Sequence, residues 1–171
     1  NAELREADIS EPLRRMSRQD RAGFHTFEKV RPHLNRINFT YPSLTSVDTY
    51  GKSMEGRPLD YIRVLSKVGP AKKPQIVISG ATHGNELITV EVVFGIMENM
   101  LADYGKNPRI TKIIDEHEIY FIPVINPDGY SRQQRMPTVW IPIAIIRGQK
   151  NRIVNRIPLF KRSWIFTRLT T

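Results

Sequence analysis

What most constrains the fold is a change of hydrophobic pattern near the middle of the chain. Gln75 to Ala81 is a continuous apolar, β-branched run, and Leu87 to Leu101 is long and apolar-periodic, so Thr82-His83-Gly84-Asn85-Glu86 lies at a strand-to-helix junction. A run of that kind predicts a strand buried on both faces. The junction itself exposes side chains. His83 and Glu86 are three positions apart, within reach of one cation if a single loop aims both, and Gly84 lets the backbone turn between them. An imidazole paired with a carboxylate suits zinc, which needs a third protein ligand and an open water position to be catalytic. By itself, His-x-x-Glu is a common chance match.

Two further stretches add to it. Gly51-Lys52-Ser53-Met54-Glu55-Gly56-Arg57-Pro58-Leu59 precedes the junction, and Asn126-Pro127-Asp128-Gly129-Tyr130 follows the strand-like run Ile119 to Ile125. Three motifs in this order resemble the zinc metallocarboxypeptidase family: a Gly-x-Ser-x-Glu-Gly-Arg-Pro-Leu hairpin, His-x-x-Glu after a strand, then Asn-Pro-Asp-Gly-Tyr after the next. The resemblance spans roughly His25 to Arg135.

The remaining patterns fit one sheet. Phe27, Val30 and Leu34 have helical spacing between Thr26 and Leu34, ended by Tyr41-Pro42. Leu44 to Tyr50 and Leu59 to Val64 read as strands of an antiparallel hairpin joined through Gly51 to Pro58. The long helix after the junction then leads, through Pro108 to Glu116, into the strand Ile119 to Ile125. The fold class is α/β: a mixed β-sheet with flanking helices, an incomplete carboxypeptidase-like fold. In such sheets the ligand site lies off the carboxyl ends of the strands, where His83 and Asn126 both fall.

The resemblance implies more than the residues do alone. It makes His83 and Glu86 ligands of a Zn2+ cofactor, and peptide or protein C-termini the substrate. It implies a second His roughly a hundred residues beyond the His-x-x-Glu pair, a later Glu as general base, and an Asn-Arg pair that binds the terminal carboxylate. The chain has no His after His117 and no such base. Arg135 matches an Arg that helps stabilise the oxyanion in the family, and is the candidate substrate-binding residue. Asn85 stands where some members have a carboxylate-binding Arg, so substrate class stays open. Asn126 to Tyr130 is expected to be a structural loop beside the cleft. His117, at the start of a strand, lies at the wrong end to be the third ligand. His25 and His33 read as surface or half-buried positions on the first helix, and Met97 and Met100 as core filling.

Charge divides the chain. All 17 acidic residues lie at or before Asp128, whereas Met136 to Thr171 holds seven Lys or Arg of the 26 and no acid, supplying +7 of the +9 net charge. Residues 1–24 read as a polar extension with a short helix opened by Ser10-Glu11-Pro12, 25–135 as a partial zinc carboxypeptidase-like domain, and 136–171 as a basic tail. Codons for Val139 to Gly148, read one nucleotide earlier, force an Asp and permit Gly-Val-Asp-Pro-Asn-Arg-Asp-Tyr-Pro-Trp. An Asp-x-Asn-Arg segment is what the family carries next, so the tail is expected to be a non-native reading frame on an incomplete and inactive portion of the enzyme.

Other chemistries use the same ligand pair: a zinc-dependent acylase or a cell-wall peptide amidase. From a different class, the tail, with Trp140, Phe160, Trp164 and Phe166 among its basic residues, would suit a non-catalytic polyanion-binding module. No nucleic-acid partner is expected for the domain itself. The absence of cysteine excludes disulfides and thiolate metal sites, and no run of eighteen apolar residues predicts a membrane span. The first residue, Asn1, leaves room for a removed leader, in keeping with a secreted or periplasmic setting. Oligomeric state is not legible.

Overall fold

The computed structural model describes residues 23–135. The short helix expected within 1–24 and the basic tail 136–171 lie outside the described residues. The chain runs α1 (Phe27–Thr40), β1 (Thr45–Lys52), β2 (Pro58–Val64), β3 (Gln75–Ser79), α2 (Leu87–Asp103), α3 (Pro108–Glu116), β4 (Glu118–Ile122) and α4 (Pro127–Arg132). The sheet has the order β1-β2-β4-β3. β1 pairs antiparallel with β2, β2 antiparallel with β4, and β3 parallel with β4 from Gln75↔Glu118 to Ser79↔Ile122. A mixed sheet with flanking helices is therefore what the residues build, and β3 and β4 deliver their following loops to the same end.

One core ties the layers together. Val30, Leu34 and Ile37 of α1 and Val90, Phe94, Met97 and Leu101 of α2 pack with Ile62, Ile119 and Phe121 of the sheet. Their spacings recur every three or four residues in the helices and every second residue in the strands, which is how the sequence directs one face of each element inward. Polar contacts reinforce the junction of α1 with α2. The imidazole of His25, just ahead of α1 rather than on it, sits 2.8 Å from Glu91 Oε2 and, by its other nitrogen, 2.8 Å from His33 Nδ1. His33 Nε2 lies 2.9 Å from Glu98 Oε1. Burial pushes the His33 pKa below its ordinary value; Glu98 opposes that shift, and the charges of His25 and Arg36 add to it. Both rings flank Phe94, with centroids 4.7 and 4.2 Å away. Of the surface or half-buried positions expected for these two histidines, both take the half-buried one, but only His33 lies on the helix.

Two expectations need correction. β3 is not buried on both faces: Ile76 and Ile78 pack on the core while Val77 is 41% exposed. The reason is position, since β3 pairs with β4 alone and forms an edge of the sheet among the described residues; β4 is the strand that is buried throughout from Ile119 to Ile122. The Asn126–Tyr130 loop is a helix. Asn126 caps α4 by accepting from the Gly129 amide at 3.1 Å, and Pro127 fills the first helical position, where a missing N–H costs nothing. Pro108 to Glu116 is likewise helical, opened by Asn107, whose side chain accepts from the Arg109 amide. The outer face of α2 is apolar as well, with Ile88, Val92 and Ile96 exposed.

Candidate metal centre

The junction between β3 and α2 forms the site. Ala81 leaves the strand with φ +48°, in the left-handed region that costs an alanine about 1–2 kcal/mol. Its amide donates to Thr89 Oγ1 at 2.8 Å, and the Thr89 hydroxyl donates to the Glu86 carbonyl at 2.6 Å, which locks the turn to the start of α2. The loop between them brings the two side chains together. His83 Nδ1 lies 2.7 Å from Glu86 Oε1, and the Glu86 carboxylate also accepts from the His83 amide at 3.3 Å. Both side chains are about one-third exposed, at 34% and 36%. The Asn85 side-chain oxygen between them is buried and has no hydrogen-bond partner.

This donor set fits zinc. One imidazole nitrogen and one carboxylate oxygen converge from a single loop and remain open to solvent, and both are ligand types that zinc takes. Among the described residues, no third His, Cys, Asp or Glu joins them. His117 caps the carboxyl end of α3, its Nδ1 3.0 Å from the Ile113 carbonyl, at the opposite end of β4 from this loop. Arg135 lies exposed beyond α4. A shallow recess lined by Gly69, Pro70, Lys106 and Asp115 is also at the far end of the sheet and touches none of these groups.

The Asn126–Tyr130 segment, expected beside the cleft, packs on the junction, and the β1–β2 turn packs on that segment in turn. Gly84 meets Gly129 of α4 backbone to backbone: a Cβ built on Gly84 would lie 1.9 Å from the Gly129 carbonyl carbon. The Asn126 side-chain amide donates to the Thr82 carbonyl at 3.3 Å. Behind α4, Asp128 Oδ1 accepts from Ser53 Oγ and from Arg57 Nη1, each at 2.7 Å, and Arg132 reaches Glu55 at 2.5 Å. The β1–β2 turn, α4 and the His83–Glu86 loop are thus one contiguous block.

A family model described as zinc carboxypeptidase matches residues 30–153. The chain belongs to the zinc carboxypeptidase family. The match begins within α1 and continues past Arg135. Metallocarboxypeptidase A of Arthroderma otae is 30% identical over 117 residues, which cover 68% of this chain and 28% of that protein. Among solved structures, carboxypeptidase A from Helicoverpa armigera aligns with a TM-score of 0.58 at 26% identity, over 67% of this chain and 29% of its own. Thrombin-activatable fibrinolysis inhibitor aligns with a TM-score of 0.63 at 20% identity, over 79% of this chain and 37% of its own, a likeness of fold. The chain therefore spans less than a third of the length of the Arthroderma otae protein, and the carboxypeptidase-like architecture read from the motifs is the one observed.

Asp128 carries a pH dependence. Burial pushes its carboxyl up, but hydrogen bonds from Ser53, Arg57 and the Glu55 amide, with the Arg57 charge, outweigh that and hold it below its ordinary value of 3.8. A carboxyl depressed in the folded state contributes stability that is complete above its unfolded pKa and lost as pH falls through the folded one. Thermal unfolding followed from about pH 5 down to about pH 2 should therefore fall more steeply for the natural chain than for Asp128→Asn. Parallel curves would show that the carboxylate is not held this way.

Proposed function

We propose that this chain supplies the first two zinc ligands of a carboxypeptidase, His83 and Glu86, and that the whole protein hydrolyses the C-terminal peptide bond of peptides or proteins. The observation that carries the reading is the convergence of His83 Nδ1 and Glu86 Oε1, 2.7 Å apart, on the loop that follows the parallel strand β3. When bound there, zinc would polarise the scissile carbonyl and lower the pKa of a bound water. The chain's own residues do the holding. His83 offers a ring nitrogen, Glu86 a carboxylate at the amino end of α2, where the helix dipole favours negative charge, and Thr89 fixes the turn that aims both. Arg135, exposed just beyond α4, is assigned to the substrate on the family resemblance. The third ligand and general base are assigned to residues outside these 171, since no histidine follows His117.

Titrating zinc into the 171-residue chain tests the reading. Weak binding is expected, lost by about tenfold or more in His83→Ala, because a ligand rather than a supporting group is removed. No measurable hydrolysis of peptide C-termini should accompany it. Unchanged zinc affinity in His83→Ala would overturn this assignment of ligands, whereas turnover by the chain that His83→Ala abolishes would overturn the placing of the third ligand and base outside these residues.

A further inference from the structure

The β1–β2 turn and α4 are more than neighbours of the metal loop. We propose that Asp128, gripped by Ser53 and Arg57, is a positioning residue that sets the aim of His83 and Glu86 by seating Gly129 against Gly84. The proposal rests on the reading of His83 and Glu86 as metal ligands.

The path is short and made of stiff parts. Asp128 Oδ1 accepts from Ser53 Oγ and Arg57 Nη1 at 2.7 Å, and Oδ2 accepts from the Glu55 amide at 3.3 Å. Ser53 is itself fixed, since its Oγ accepts from the Arg57 amide at 3.0 Å. The Asp128 side chain is only 14% exposed, so these charge-assisted bonds are shielded from solvent on most sides. Glu55 bonds both Arg57 and Arg132, which extends the grip to the last turn of α4. Gly129 is the next residue after Asp128. Its carbonyl carbon and oxygen and the Tyr130 nitrogen lie 1.9, 2.1 and 2.4 Å from where a Gly84 Cβ would be. No side chain intervenes, so a shift of the Asp128 backbone bears directly on the metal loop. Asn126 adds a second strut, holding the Gly129 amide with one atom of its side chain and the Thr82 carbonyl with another. Residues on either side of the metal loop's glycine, Thr82-His83 and Asn85-Glu86, are therefore referenced to the hairpin turn, and not only to β3 and α2. Groups that orient metal ligands from outside typically affect affinity by about 10–100-fold when removed.

The alternative is that Asp128 only adds stability, as any partly buried ion pair does. Glu118, paired with Arg63 at 3.2 Å at the opposite end of β4, provides the matched control. Zinc affinity and thermal unfolding are measured on the 171-residue chain and on Asp128→Asn, Glu118→Gln and His83→Ala, at a temperature where circular dichroism finds all four folded. Amide hydrogen exchange at Gly84, Asn85 and Glu86 without metal is the second readout. The expected result is that Asp128→Asn binds zinc about tenfold more weakly and exchanges those amides faster, while Glu118→Gln, with a comparable fall in melting temperature, changes neither. Natural-chain affinity and natural-chain exchange in folded Asp128→Asn would overturn the proposal, as would equal effects in Glu118→Gln. Failure of the underlying reading is distinct: His83→Ala would then bind zinc like the natural chain, whereas failure of the positioning role alone leaves His83→Ala deficient and Asp128→Asn unaltered.

Discussion

Alanine at Gly84 should destroy zinc binding and destabilise the fold, although it adds a single methyl group. The new carbon would sit 1.9 to 2.4 Å from three backbone atoms of Gly129 and Tyr130. Backbone cannot rotate aside as a side chain can, so the His83–Glu86 loop and α4 have to separate by more than about an ångström to reach ordinary contact. Gly84 is not among the glycines at positive φ, so alanine meets no conformational strain of its own there, and the whole effect comes from the collision. Overpacking of this kind costs about 1–3 kcal/mol and sometimes more. Separation also breaks the Asn126 bond to Thr82 and releases the turn that aligns His83 with Glu86. Denaturant unfolding together with a zinc titration reads both effects; a Gly84→Ala chain that melts and binds like its parent would show that the two backbones are not pressed together.

Phe94→Ala should bring the largest loss of stability. Phe94 is 2% exposed, sits on the inward face of α2 and fills the space between that helix and the histidine pair beneath it. Truncating a buried phenylalanine costs about 3–5 kcal/mol, because the transfer free energy is lost and the cavity collapses only in part. Against a typical total of about 5–15 kcal/mol, that is enough to leave a large unfolded fraction at moderate temperature. The loss should also loosen the Glu91–His25–His33–Glu98 chain of contacts, whose rings rest on Phe94. Urea unfolding with an unchanged slope and a midpoint shift worth under about 1 kcal/mol would contradict this packing role.

How far the sequence revealed these features depends on the range over which each is encoded. The hairpin was legible because Gly51, Ser53, Gly56 and Pro58 punctuate two β-branched runs within a few residues, and the strand-to-helix junction because the hydrophobic period changes across it. The burial of β3 was misread since Gln-Ile-Val-Ile-Ser looks the same on a covered strand and on one with an open side. α3 and α4 were missed although Asn107-Pro108 and Asn126-Pro127 are both cap-then-proline starts; next to Asp-Gly, the second pair reads as a turn. At the site, the His83–Glu86 pairing was visible because it is local. The ties from Ser53 and Arg57 to Asp128, and from His25 to Glu91, were not, since nothing in a polar residue's own neighbourhood says which distant partner it will meet.

The parallel pairing of β3 with β4 has a consequence in time. β1 and β2 are joined by a tight turn and can zip in microseconds, whereas Gln75 can find Glu118 only after the whole of α2 and α3 has been drawn across the sheet. Closing that long crossover is expected to be slower than zipping the hairpin. The loop bearing His83 and Glu86 therefore takes shape late, and a metal-competent arrangement should emerge in kinetic experiments after the hairpin is already formed.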